Sequence, residues 1–282
     1  MQINSLSDYV SEQAKGISSL NYSPTPMNNN CSANYDMSNI TLLVLRLGFQ
    51  CLSEVQNKAA IALGTFARAK NDYNITVATA GAISPLVALL GPQNSATVQE
   101  NAAGALRYLA IYINNNINIA AAGAIPYLVA LLGPQNSATM QENAAGTLEN
   151  LAAGNEYNSI NIAAAGAIPP LVALLGPQNP AGVQESVAGA LRYLAYDNSD
   201  NQVNIAAAGA ILPLVALLGP RSKVKVQQVA ALALEYLALN TANRVLIRSA
   251  GGVTALNHLI QTTADKDVRL ASKGALDAIN SG

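Results

Sequence analysis

The side chains in this chain that could do chemistry are charges and tyrosines that return at a fixed interval. Arg107, Glu149, Arg192 and Glu235 stand 42 or 43 residues apart and alternate in sign, and each precedes a tyrosine or an amide: Tyr108, Asn150, Tyr193 and Tyr236. Such a row can offer ionic contacts of both signs to a bound chain, with tyrosine adding apolar area and a hydroxyl. It can equally be used up internally. Neighbouring helices about 8–10 Å apart would let Arg and Glu neutralise each other as exposed pairs worth about 0–1 kcal/mol.

Covalent and acid–base chemistry find no comparable set. There is one histidine, His258, and the two cysteines, Cys31 and Cys51, have no metal-ligand spacing. No Cys/His pair, Ser/His/Asp set, phosphate-binding glycine loop or carboxylate cluster is present, so we expect neither an enzyme nor a cofactor nor a metal. Charged residues are 11% with net charge −1, below the roughly 25% usual in soluble domains, and no basic face is available for nucleic acid. The longest apolar stretch, residues 205–218, is interrupted by Gly209 and Pro213 and falls short of the ~20 residues of a membrane span, so no membrane insertion is expected. The opening MQINSLSDYVSEQ does not read as a secretory signal. A reduced intracellular, cytoplasmic location is the expectation. Weak charge also favours self-association, so a homo-oligomer is a second expectation.

The interval between the charges is a property of the whole chain. GAISPLVALL starts at Gly81, GAIPYLVALL at Gly123, GAIPPLVALL at Gly166, GAILPLVALL at Gly209 and the divergent GGVTALNHLI at Gly251, at spacings of 42, 43, 43 and 42. A period of this length marks a stacked helical repeat in which each unit buries its apolar face only against the next. Each repeat divides into three helical pieces. A short one ends at the repeat glycine, suited to a left-handed helix stop. A second carries Pro85, Pro126, Pro169, Pro170 or Pro213 in its first turn, where the missing N–H costs nothing. After a Gly-Pro break comes a long third piece, in which Val98, Ala102, Ala105, Leu106 and Leu109 form one apolar arc. Glu100, Gly104 and Arg107 lie opposite that arc, with Tyr108 on its shoulder. Extending the register outwards starts a first repeat near Asn39 and closes a last one at the C-terminus, about six in all with degenerate ends. Residues 1–37 are polar and outside the pattern, either a tail or a capping helix.

Other recurring residues carry two readings. Gly104, Gly146 and Gly189 could open a surface to a partner or be one duplication event copied. Thr97 to Glu100 and Thr139 to Glu142 fit the S/T-x-x-E capping box. Asn115, Asn158, Asn201 and Asn243 are expected to cap or bridge repeats. Asn257 and His258 replace apolar and small residues in the last repeat, which suggests a solvated end face.

The succession GAIPPLVALL, Gly-Pro, VQENAAGALRYLA and an Asn-rich turn resembles the armadillo repeat over residues 39–282. HEAT repeats lack the short first helix and the GAI-P turn. The resemblance implies an all-α, right-handed α-solenoid of about six armadillo-type repeats with degenerate terminal repeats. It implies that third helices line a concave groove for an extended peptide or partner helix, and that the protein is an adaptor. Arg107, Tyr108, Glu149, Asn150, Arg192, Tyr193, Glu235 and Tyr236 are then the groove candidates. The nuclear-import members of that family carry a Trp and, four residues later, an Asn in each third helix. Here those places hold Ile61, Gly104, Gly146, Gly189 and Leu232, then Thr65, Tyr108, Asn150, Tyr193 and Tyr236. Only Asn150 matches and the chain has no Trp, so that basic-peptide mechanism is not expected. Two other functions remain open: a self-assembling structural protein, and a targeting domain of a secreted or host-directed effector with residues 1–37 as its effector end.

Overall fold

Glycine and proline cut each repeat into short helices, and the cuts decide where every side chain points. A computed structural model describes residues 37–48, 51–69 and 71–281, and among these there are only helices and no strand. The N-terminal polar segment, Met37 apart, lies outside the described residues, and with it the question of tail, capping helix or effector end. Two helices, α1 (Met37–Leu45) and α2 (Ser53–Ala69), precede five triplets. These are α3 (Asn71–Thr79), α4 (Ile83–Leu89) and α5 (Ala96–Leu109), then α6 (Ile113–Ala121), α7 (Ala124–Leu131) and α8 (Ala138–Ala152). The third is α9 (Glu156–Ala164), α10 (Ile168–Ala173) and α11 (Ala181–Ala195), the fourth α12 (Ser199–Ala207), α13 (Ile211–Leu217) and α14 (Val224–Leu237). The last is α15 (Thr241–Ser249), α16 (Gly252–Thr262) and α17 (Lys266–Asn280). With α1 and α2 as a partial first unit, the repeat count is the six read from the sequence.

The repeat glycines do what their type suggests. Gly81, Gly123, Gly166, Gly209 and Gly251 all have φ between +80° and +86°, a left-handed turn that costs an L-residue roughly 1–2 kcal/mol. Each turn ends a first helix and lets the second leave in a new direction. The apolar stretch 205–218 is accordingly split into α12 and α13, bent by 84°, and no single helix among the described residues is long and apolar enough to cross a membrane.

Third helices stack one on the next: α2 on α5, α5 on α8, α8 on α11, α11 on α14 and α14 on α17. The predicted arc of α5 is the buried one, with Val98, Ala102, Ala105, Leu106 and Leu109 all at most 2% exposed. Alanines dominate the contact, and a Cβ on Gly64 would lie 3.1 Å from the Ala105 Cα. One hydrophobic cluster runs from Ile40 to Ile279. Asn257 and His258 are exposed, as expected of a solvated end. At that end Arg244 and Arg248 donate to the Ser281 and Ile279 carbonyls, closing the last helix.

Two amide ladders seal the joints. Asn115, Asn158, Asn201 and Asn243 are buried, and their Nδ2 groups donate to the carbonyls of Leu109, Leu151, Leu194 and Leu237 at 2.9–3.1 Å. They bridge the C-terminus of one third helix to the next first helix. Gln56, Gln99, Gln141, Gln184 and Gln227 do the same between second and third helices, each donating at 2.9 Å to the carbonyl of Gly48, Gly91, Gly133, Gly176 or Gly219. The glutamine ladder was legible as the recurring V/M-Q pair but was not given this role. The capping boxes are corrected. The N-caps of α5 and α8 are Ser95 and Ser137, whose hydroxyls accept from Val98 and Met140 N–H, because each helix starts one residue before the threonine. Replacing Asn158 by Ala leaves the Leu151 carbonyl buried and unpaired. The expected loss is about 1–3 kcal/mol, read as a lower urea midpoint.

Candidate functional site

On the face of the third helices away from the core, three of the four ladder charges, Arg107, Glu149 and Glu235, reach over the helix that follows. A Cβ added to Gly146 would collide with the Arg107 guanidinium, one on Gly189 with the Glu149 carboxylate, and one on Gly274 would lie 2.8 Å from Glu235 Oε2. Gly146, Gly189 and Gly274 thus give room to this chain's own charged side chains, while Gly104 faces the Asn143 amide. At Gly146 and Gly189 this accounts for a residue that costs roughly 1 kcal/mol relative to Ala in a helix. On α14 the equivalent place holds Leu232. Arg192 lies instead with its guanidinium carbon 4.6 Å from the centre of the Tyr193 ring and 5.8 Å from that of Tyr236. Tyr236 in turn meets Tyr196 edge to face at 5.1 Å.

The ladder is not self-neutralising in the way its alternation allows. Arg107 donates through Nη1 to Glu142 Oε1 at 2.9 Å and through Nη2 to Ser186 Oγ at 3.2 Å, tying α5, α8 and α11 together. Its ion-pair partner is Glu142, not Glu149. Among the described residues, the side chains of Glu149, Arg192 and Glu235 form no ion pair and no hydrogen bond. Burial pushes the Glu149 carboxyl up from 4.5 to about 7. Arg107 opposes that rise, Glu185 adds to it, and Arg192 and Lys225 oppose it more weakly. Glu235 is also raised, first by burial and then by Asp277, with Arg192 pulling the other way.

The remaining candidates divide. Asn150 donates through Nδ2 to the Arg107 carbonyl at 3.1 Å, and its own carbonyl accepts from Asn116 Nδ2 at 2.7 Å. Its amide is therefore used between helices rather than presented to solvent. Tyr108, Tyr193 and Tyr236 are half-buried against the core, and Arg68 sits 5.9 Å from the Tyr108 ring centre. Sequence reasoning missed Glu142 and Ser186 as Arg107 partners. The signal was there in Glu100, Glu142 and Glu185 recurring at 42 and 43 residues, but the capping motif drew the assignment away. Glu100 accepts from the Ser137 hydroxyl that begins α8. Among the described residues no group of three His, Cys, Asp or Glu side chains could hold a metal.

The raised Glu149 carboxyl makes stability depend on pH. Between 4.5 and about 7 the native state binds more protons than the unfolded one, so stability falls as pH rises through that window. The gap corresponds to about 3 kcal/mol. Glu149→Gln is expected to match wild type below pH 4.5 and to exceed it by up to about that amount at pH 8, measured by urea unfolding at both pH values.

Comparison with known proteins adds to this geometry. The family model of the armadillo/beta-catenin-like repeat matches residues 72–111, 117–153 and 155–196. An engineered protein is similar at 33% identity and a TM-score of 0.78, over 86% of this chain and 99% of the other. Computationally designed armadillo repeat proteins for modular peptide recognition match at 30% identity and 0.75, over 86% of this chain and 100% of the other. A designed armadillo repeat protein in complex with the peptide (KR)4 matches at 29% and 0.74, over 86% and 99%. No curated protein sequence matches the chain.

Proposed function

The chain belongs to the armadillo repeat family, and from that premise we propose that it is a non-catalytic adaptor that binds an extended segment of another protein along its third helices. The observation that carries this reading is the half-buried row itself. Among the described residues Glu149, Arg192 and Glu235 lack polar partners on the consecutive third helices α8, α11 and α14. On α11 and α14 the half-buried Tyr193 and Tyr236 stand next to the charge. Unpartnered charge beside tyrosine is the composition of a recognition surface, not of a face finished by its own contacts. The similar designed protein in complex with the peptide (KR)4 supports a peptide-binding use of the fold. Selection from a random peptide library should yield binders that protect α8, α11 and α14 from hydrogen exchange. Combined Tyr193→Ala and Tyr236→Ala should weaken them about tenfold or more, the effect of truncating an aromatic anchor. Binders indifferent to both changes in a folded variant would place recognition on another face.

A second reading, self-association, has one observation in its favour. Ile75, Ile117, Ile160, Val203 and Val245 each stand six residues before the repeat glycine on the five first helices and are 43–58% exposed. Here we propose a second copy as the occupant, since an apolar row in one register is of the kind that marks an interface. Light scattering over a concentration series should show mass rising above a monomer. Ile117→Lys with Ile160→Lys should return it to one chain.

A further inference from the structure

We propose that Glu149, Arg192 and Glu235 act together as a charge reader, selecting a peptide with a basic, an acidic and a second basic side chain at one-repeat intervals. The inference rests on the peptide-binding reading above and names the chemistry of its ligand. The structure separates these three from the rest of the ladder. Arg107 is satisfied by Glu142 and Ser186, so it is withdrawn from recognition, and Asn150 is committed to the Arg107 carbonyl. Glu149, Arg192 and Glu235 follow on α8, α11 and α14 with no polar partner among the described residues.

Each of the three is also held in place. Glu149 lies over Gly189 and Glu235 over Gly274, where a methyl group would displace them. Arg192 is set on Tyr193 and near Tyr236, and its Nε is buried without a hydrogen-bond partner. A charge taken from water without a partner is costly, and a hydrogen bond from a bound partner offsets that cost. Burial already raises both glutamates, so a partner cation relieves a cost that a neutral side chain leaves standing. The flanking Glu185 and Lys225 act on Glu149 in opposite directions, and Asp277 adds negative charge beside Glu235. An all-basic peptide would set a cation against Arg192, and an all-acidic one would meet both glutamates. The basic–acidic–basic order reads the same from either end, so it holds for both directions of the bound chain.

Adjacent helices about 8–10 Å apart correspond to two or three residues of an extended strand at about 3.3 Å each. The probes are therefore the labelled peptides Lys-Ser-Glu-Ser-Lys and Lys-Ser-Ser-Glu-Ser-Ser-Lys. Versions with a central Gln, a central Lys and fully inverted charges accompany them, all read by fluorescence anisotropy at low salt. The patterned peptide of the correct spacing is expected to bind about tenfold tighter than its central-Gln version. Arg192→Gln should abolish that ratio, and Arg192→Glu should move the preference to central Lys. If Arg192→Glu does not fold, Arg192→Gln alone decides. A central-Lys peptide bound as tightly as the patterned one by wild type overturns the charge reader, as does an unchanged ratio in Arg192→Gln. If library-selected peptides occupy the face but none of these probes binds, the charge reader fails and the adaptor reading stands. If no library peptide occupies it, both fall.

Discussion

Close approach of one third helix to the next is the constraint on which the rest depends. It is set by alanine and glycine: Ala102, Ala105, Ala144, Ala145, Ala188 and Ala190 are nearly or wholly inaccessible, and Gly64 meets the Ala105 backbone directly. Small side chains let backbones approach and leave little room for error, because a close-packed contact resists even one added methylene. Leucines from the second helices then fill the space behind. No unit has a second face of its own to bury, so the interior is continuous along the stack.

Such a stack creates many helix ends, each leaving carbonyls without intrahelical partners. The Asn and Gln ladders answer this at two joints per repeat, and their residues are buried because the joints are. Amides suit the task better than charges. They donate without the desolvation cost of an ion, which fits a chain that is only 11% charged. Among the described residues, the third helices carry the recurring charges Arg107, Glu149, Arg192 and Glu235 on the face away from the core.

That outward face follows from the same spacing. Helices this close force each long side chain to lie across its neighbour, and a glycine at the crossing point decides whether it can. Where glycine is present, Arg107, Glu149 and Glu235 lie over the next helix; where Leu232 replaces it, Arg192 turns to the tyrosines. The residue at the crossing point thereby sets which way each of these charges lies.

The period, the three-helix unit, the left-handed glycines and the buried arc were all legible in the sequence. They depend on local backbone preference and on a hydrophobic pattern that repeats unchanged, and the armadillo resemblance rested on the same marks. The candidate face was legible as a row of residues but not as a set of contacts. Arg107 and Glu149 alternate in sign as a pair would, yet Arg107 reaches Glu142 and Ser186, 35 and 79 residues away. Similarly, Thr97 and Glu100 have the spacing of a capping box, but Ser95 starts the helix. A one-dimensional pattern determines which side chains share a face, because that depends on helical period alone. Which of them touch depends on the distance and angle between helices, and these are decided only when the repeats stack.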